Sequence, residues 1–255
     1  MRLTTIGTGT AAPHPRRAQA GTLLESGPVS LLIDCGSAVV TRMAERGLDW
    51  PGITHVATTH FHADHTSDLA TLIYGWRYGL LPPRSAPATL LGPPGFAARL
   101  DGMKAAFGEG LLDAPPPLSV VELEPGTPFP LAEGLALESF KVPHTAESVA
   151  YSVSGRGWRV VVSGDTGPDP GLAGWAAGCD VLVLECSLPD SLALPIHLTP
   201  RQCGELALIA QPRHLVLTHF YAPVEAEDIT AQVAERFGGP VTCAYDGWTL
   251  TLEDS

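Results

Sequence analysis

The sequence predicts one α+β domain spanning residues 1–255. Three observations predict it. Short β-branched or Leu-rich runs, bounded by Gly, Pro, Asp or His, recur along the chain. Helical periodicities lie between some of those runs, and a faint repeat divides the chain into two similar halves. No linker long enough to separate two domains interrupts the pattern, and 255 residues suffice for a substantial core.

The elements follow in order. Residues 3–6 (Leu-Thr-Thr-Ile) and 29–33 (Val-Ser-Leu-Leu-Ile) read as strands that stop at Gly7 and Asp34. Residues 38–46 carry Val39, Val40 and Met43 on one face and stop at Gly47, the pattern of a helix with a glycine exit. Residues 54–58 are a strand. Residues 67–78 are a longer helix with Leu69, Leu72, Ile73 and Trp76 among its apolar positions. Thr66-Ser67-Asp68 is the candidate cap. A strand at 89–91 follows, with surface loops expected at 80–87 and at the proline run 115–117. Strands are expected at 135–142, 149–153, 158–162 and 181–184. Residues 199–210 form a helix with Thr199 as N-cap, Pro200 at the first position and Gln202 at the third. A strand at 214–218, a helix at 225–237 ending on Gly238-Gly239, and a strand at 249–252 complete the chain.

The repeat has two parts. One strand of each half ends in Asp-x-Gly: Asp34-Cys35-Gly36 and Asp165-Thr166-Gly167. Another ends in Thr-His-Phe: Thr59-His60-Phe61 and Thr218-His219-Phe220. Strand ends are where α/β folds place their chemistry, so two halves would contribute to one shared site.

Composition excludes some functions. Lys+Arg is 15 against 27 Asp+Glu, a net charge of −12, which disfavours non-specific nucleic-acid binding and anchoring to a membrane through a basic face. Gly (27) and Pro (24) make up a fifth of the chain without a period, as expected for many turns. The five cysteines Cys35, Cys179, Cys186, Cys203 and Cys243 contain no Cys-x-x-Cys, so buried reduced thiols in a cytoplasmic protein are expected. The N-terminus has no apolar leader segment, and the longest apolar runs are far too short to cross a bilayer.

The strongest chemical signal is Thr59-His60-Phe61-His62-Ala63-Asp64-His65. His60 and His62 project to one side if extended, and after a turn Asp64 and His65 face another way. One loop can therefore supply ligands to two neighbouring ions, and imidazole with carboxylate suits Zn2+, with Mn2+ or Fe as alternatives. Four ligands cannot complete two sites. His144, Asp165 and His219, each at a strand end, are the candidates for the rest.

His-x-His-x-Asp-His after a strand, followed in order by His144, Asp165 and His219, resembles the metallo-β-lactamase superfamily over essentially the whole chain. Within it, the opening Gly7-Thr8-Gly9 to Pro13, Arg16-Arg17, Gly21 and Leu32-Ile33-Asp34-Cys35-Gly36 are similar to motifs of the ribonuclease Z-like phosphodiesterase branch. The resemblance implies a four-layer αββα sandwich and two divalent metal ions. One would be held by His60, His62 and His144, the other by Asp64, His65 and His219, with Asp165 bridging. Asp34 would orient a ligand histidine by hydrogen bond. The branch also carries a Glu–His pair that protonates the leaving group, and Glu185 and His197 occupy matching places. His14, His55 and His214 read as structural or surface residues, with His14 near the site rim.

The implied reaction is phosphodiester hydrolysis by a metal-bridging hydroxide. Asp64 would aid deprotonation of the water, and His197, oriented by Glu185, would protonate the leaving alkoxide. Ribonuclease Z proper carries an arm that grips tRNA, between the third motif and the bridging Asp. Here residues 144–165 hold only a strand pair around Ser154-Gly155-Arg156-Gly157. With the acidic charge, this predicts a small phosphodiester substrate such as a cyclic nucleotide, a nucleotide-like diester or a short oligonucleotide, and not a long nucleic acid. Arg77, Arg84 and Lys104 are unranked candidates for a phosphate contact. Lactone, thioester or other ester hydrolysis is the alternative in the same superfamily, and a non-catalytic metal-binding or sensor protein is the alternative of another class. The same resemblance allows a homodimer, for which apolar positions between Leu69 and Leu81 are candidates if they are not core.

Overall fold

In the computed structural model, residues 1–112 and 116–253 are described. The first half runs β1 (Arg2–Gly7), β2 (Gly21–Ser26), β3 (Val29–Ile33), α1 (Val39–Glu45), β4 (His55–Ala57), α2 (Ala63–Thr66), α3 (Leu69–Tyr74), β5 (Ala88–Gly92), α4 (Phe96–Phe107) and β6 (Leu118–Glu122). The second runs β7 (Phe129–Ala132), β8 (Leu135–Lys141), β9 (Val149–Gly155), β10 (Trp158–Val162), α5 (Pro170–Trp175), β11 (Val181–Glu185), α6 (Pro200–Ala210), β12 (His214–Thr218), α7 (Ile229–Ala234), β13 (Val241–Cys243) and β14 (Trp248–Thr251).

The strands form two sheets, ordered β14-β1-β2-β3-β4-β5-β6 and β13-β12-β11-β10-β9-β8-β7. Period-2 alternation places them face to face. Leu31 and Ile33 of β3 join Val181 and Val183 of β11 in the core between the sheets. Their neighbours point outward under helices: Leu32 packs with Val39, Met43, Leu72 and Trp76, while Leu182 and Leu184 pack with Leu172, Leu206 and Val233. Both faces of these strands are buried, which is why they read as continuous apolar runs. The result is the helix–sheet–sheet–helix sandwich implied by the sequence resemblance. Each fully buried Leu or Val contributes about 1.5–3 kcal/mol by leaving water.

Each half follows the same plan. Antiparallel strands lead to β3 or β10, from which parallel strands continue, β3-β4-β5-β6 and β10-β11-β12-β13. The two Asp-x-Gly segments therefore follow equivalent strands. The Thr-His-Phe match does not survive this alignment. β4 is the first strand parallel to β3, whereas β12 is the second beyond β10. The partner of β4 by topology is β11, which ends in Glu185, so His60 and His219 are not repeat mates.

Several element boundaries differ from the sequence reading. The helix expected at 67–78 begins only at Leu69, because the Thr66 and Ser67 hydroxyls donate back to the His62 and Ala63 carbonyls and close α2 as a separate turn. Asp68 does not cap its own helix, and its Oδ2 instead accepts from Val40 N at 3.1 Å, in the first turn of α1. Past Tyr74 the chain continues as a π-helical turn, Gly75–Gly79. The helix expected at 225–237 shrinks to Ile229–Ala234, because the Asp228 side chain caps it by accepting from Ala231 N. Glu225 is drawn instead to Arg17. α6 keeps its expected start, with the Thr199–Gln202 capping box formed. Residues 80–87 hold neither helix nor strand; Pro115 lies outside the described residues, and Pro116 and Pro117 stand in neither element. All five cysteines are free, and among the described residues no helix is long and apolar enough to cross a membrane.

Candidate metal centre

The site collects at the strand ends. His60 and His62 follow β4, with His62 extended (φ −64, ψ 151); the chain then turns into α2, which carries Asp64 and His65. The α2 carbonyls hold the β2 entry and the β3 exit: Ala20 N donates to Asp64 O and Cys35 N to His65 O. Gly36 is required there, since a Cβ would lie 2.0 Å from Asp64 O. From the second sheet, His144 follows β8, Asp165 follows β10, Glu185 ends β11 and His219 follows β12. Asp34 and His219 both adopt left-handed backbone, φ 61 and 60, a strained geometry for non-glycine residues just after a strand.

Two ligand clusters form and share one carboxylate. His60, His62, His144 and Asp165 make the first, and Asp64, His65, Asp165 and His219 the second. In the first, His62 Nδ1 lies 3.0 Å from His60 Nε2 and 3.2 Å from His144 Nε2. Asp165 Oδ2 stands 3.9 and 3.8 Å from His60 and His144 Nε2. In the second, Asp165 Oδ1 stands 3.2 Å from His65 Nε2 and 3.3 Å from His219 Nε2, with Asp64 Oδ2 3.4 Å from His219 Nε2. Asp165 thus turns one oxygen to each cluster.

The donor chemistry fits cations. His65 Nε2 and Asp165 Oδ1 are buried and have no hydrogen-bond partner. With the outer nitrogens donating to the protein, the inner ones are free to present lone pairs to a cation. His65 Nδ1 donates to Asp34 Oδ2 at 2.8 Å, and His144 Nδ1 to Ile196 O at 2.9 Å. The nitrogen–nitrogen separations sit near the ~3.3 Å edge of a tetrahedron with ligands at ~2.0–2.1 Å.

Electrostatics agree. Burial would raise the Asp165 carboxyl, but His219 and His65 hold it well below the usual carboxylate range. Burial would lower His65, but Asp165 and Asp34 raise it well above the ordinary value, so this pocket favours positive charge at Nε2. Burial lowers His60 and His144, which favours the neutral, ligating form. Burial also raises Asp64, and the His219 hydrogen bond brings it below its ordinary value.

Glu185 and His197 come together beside this centre. His197 Nδ1 lies 2.9 Å from Glu185 Oε1, which also accepts from Thr166 N at 2.8 Å. Glu185 Oε2 accepts from Leu198 N at 3.2 Å and from the Ser187 hydroxyl. The His197 ring stands 4.9 Å from that of His144 and 6.1 Å from that of His219, centroid to centroid. A cavity of about 30 Å3, room for a water molecule, lies against Asp34, His65, Asp165, Glu185 and His219.

The phosphate-contact candidates fare differently. The Arg77 guanidinium donates to the Gly110 carbonyl. Arg84 is buried and donates to Pro51, Ala86 and Pro87 carbonyls, with its guanidinium over the Trp76 ring. Both are tied to the fold, and Lys104 lies in the last turn of α4. His55 and His214 bond to the Thr54 and Thr242 hydroxyls, and His14 pairs with Glu225 at 3.3 Å. Thr59, Ser187 and Tyr221 were missed by sequence reasoning. The Tyr221 ring is half-buried, 6.3 Å from His197 and 6.1 Å from His219. Thr59 and Ser187 each stand beside a site residue already recognised, and that adjacency was the available signal.

Comparison with known proteins points the same way. Residues 30–220 match the family described as "Beta-lactamase superfamily domain". The chain is 32% identical to "Ribonuclease Z" of Mycobacterium marinum, over 96% of each chain. Among solved structures, the metallo-beta-lactamase fold protein YhfI from Bacillus subtilis superposes with a TM-score of 0.84 at 21% identity, over 98% of both chains. The short form of human tRNase Z does so with a TM-score of 0.78 at 24% identity, over 99% of this chain and 100% of that one.

Proposed function

The chain belongs to the β-lactamase superfamily, in its ribonuclease Z-like branch, and is a metal-dependent hydrolase; we propose that it hydrolyses a small phosphodiester as a single catalytic domain. The observation that carries the reading is the Glu185–His197 pair, 2.9 Å apart, beside two ligand clusters that share Asp165. Two divalent ions, Zn2+ in the first instance, would supply acidity to the attacking water and positive charge for the phosphoryl oxygens. His60, His62, His144 and Asp165 would hold one, and Asp64, His65, His219 and Asp165 the other. Asp64, held ionised by His219, would take the proton of the attacking water. His197 gives its Nε2 proton to the leaving alkoxide while Glu185 holds its Nδ1, an arrangement suited to a poor leaving group.

The short hairpin supports a small substrate. β9 and β10 are joined by Arg156-Gly157 alone, which leaves no arm between His144 and Asp165 to hold a folded RNA. Tyr221 and the exposed Leu194 and Ile196, which precede His197, are the groups available to an apolar or planar portion of the substrate. The dimer candidates are also reduced. Leu69, Leu72, Ile73 and Trp76 are buried in the core, so pairing with a second copy would use the exposed Tyr78 and Leu81. The relatives named ribonuclease Z favour a second reading, pre-tRNA cleavage.

One panel decides between them. The Zn2+-loaded protein is assayed on an aryl phosphodiester, cyclic nucleotides, a pre-tRNA, a lactone and a thioester. Turnover of the small diesters with little on pre-tRNA is expected. Pre-tRNA cleavage at matching rates overturns the small-substrate reading, and ester turnover without phosphodiesterase activity overturns the reaction class.

A further inference from the structure

Ser187 is a buried hydroxyl between two groups of the site. Its Oγ meets Glu185 Oε2 on one side and His219 Nδ1, 3.0 Å away, on the other. A hydroxyl has one proton to give and lone pairs to receive. Glu185 already takes Thr166 N, Leu198 N and His197 Nδ1 on its two oxygens, and the His219 carbonyl, 3.1 Å from Ser187 Oγ, can only accept, so the Ser187 proton goes to one of these, the nearer being Glu185. The Ser187 oxygen is then left to accept from His219 Nδ1–H. That fixes the His219 tautomer: the proton sits on Nδ1, and Nε2 presents a lone pair toward Asp64 and Asp165.

Thr59 repeats the device in the other half. Its hydroxyl donates to Asp34 Oδ2 at 2.9 Å and lies 3.1 Å from His60 Nδ1. By the same proton count it accepts from His60 Nδ1–H and leaves His60 Nε2 bare in the first cluster. Each buried carboxylate therefore serves one histidine directly, His65 for Asp34 and His197 for Glu185, and a second through a hydroxyl.

We propose that Ser187 and Thr59 are positioning residues that extend a buried carboxylate's hold to one ligand histidine in each cluster, His219 and His60. The inference rests on reading the clusters as metal sites and concerns ion affinity, not the identity of the substrate. Outer partners of ligating histidines set ring orientation and basicity, and their loss weakens metal binding by about 10–100-fold.

The test is Zn2+ titration of the purified chain in competition with a chromogenic chelator. 15N spectra of the imidazoles report the tautomers, and circular dichroism reports folding. Ser187→Ala is expected to weaken one of the two ions about 10–100-fold and to lose the Nδ1–H signal of His219, with Ser187→Thr restoring both. Thr59→Ala is expected to weaken the other ion, with Thr59→Ser as its rescue. If Ser187→Ala fails to fold, Ser187→Cys keeps the volume with a poor donor and is expected to show the same loss. Wild-type affinity for both ions in the alanine or cysteine variants overturns the proposal, as does a failure of Ser187→Thr to restore binding. Wild-type protein that takes up no Zn2+ instead overturns the metal reading of the clusters.

Discussion

Asp34 Oδ2 lies 2.8 Å from His65 Nδ1, and Asp34 Oδ1 accepts from the backbone of Thr59 at 2.8 Å, so one buried carboxylate ties the β3 exit to both sides of the histidine loop. Without it, His65 could carry its proton on Nε2, the atom that faces Asp165. Asp34→Ala is expected to lower Zn2+ affinity of the second cluster about 10–100-fold, and also to weaken the first, whose His60 it reaches through Thr59. Competition titration checks this, and unchanged affinity would show that α2 packing alone orients His65.

Asp165 serves both clusters through separate oxygens. Asparagine offers one oxygen and one amide nitrogen, which carries no lone pair for a cation. Asp165→Asn is therefore expected to reduce bound Zn2+ below the wild-type stoichiometry and to cut phosphodiester turnover by more than 100-fold, of the order seen when a principal electrostatic group is removed. Elemental analysis with activity on the same sample checks it. Full activity with the wild-type metal content would dismiss the bridging role.

Much of this candidate site was legible because several of its candidate ligands are concentrated in one loop and the others stand at strand ends. The helix–sheet–sheet–helix order was carried by the family resemblance, since strands such as Val181–Glu185, buried on both faces, give no alternation to say which side faces which layer. β6, β7 and β13 went unread because edge strands with few buried residues lack an apolar signature, and the interior strand β2 was also missed, although it is almost wholly buried. α4 was missed because only Phe96 and Leu100 of its twelve residues are buried. The hydroxyl links of Thr59 and Ser187 depend on donor directions between segments distant in the chain, which spacing alone does not encode.

The proposed proton donor, His197, should set a pH limit. Burial alone would lower its pKa, but the Glu185 hydrogen bond and charge, with Asp165 and Asp64 behind them, raise it above the ordinary 6.5. Bound cations would neutralise the last two, leaving Glu185 as the lasting cause. A raised pKa keeps the donor protonated at neutral pH, so kcat on a diester with an alkoxide leaving group should fall as pH rises through it. His197→Ala should abolish that limb and cost about 10²–10⁴-fold on the alkyl diester, and far less on an aryl diester whose leaving group needs no proton. Equal losses on both would argue against proton donation.

The last link joins the site to the far end of the chain. Asp246 is buried and accepts from Thr8 N (3.1 Å), Thr8 Oγ1 (2.7 Å) and Ala18 N (2.6 Å), while Thr8 O accepts from Phe220 N, next to His219. Asp246→Ala leaves buried donors without partners, which costs about 1–3 kcal/mol each. A loss of about 3 kcal/mol in urea unfolding of the metal-free chain is expected. Asp246→Asn should not restore it fully. With its oxygen toward Thr8, its amide hydrogens face the Ala18 N–H, donor against donor. An asparagine variant as stable as wild type would mean that the Gly7–Ala18 segment is held by its packing, and that the left-handed turn at His219 does not depend on this carboxylate.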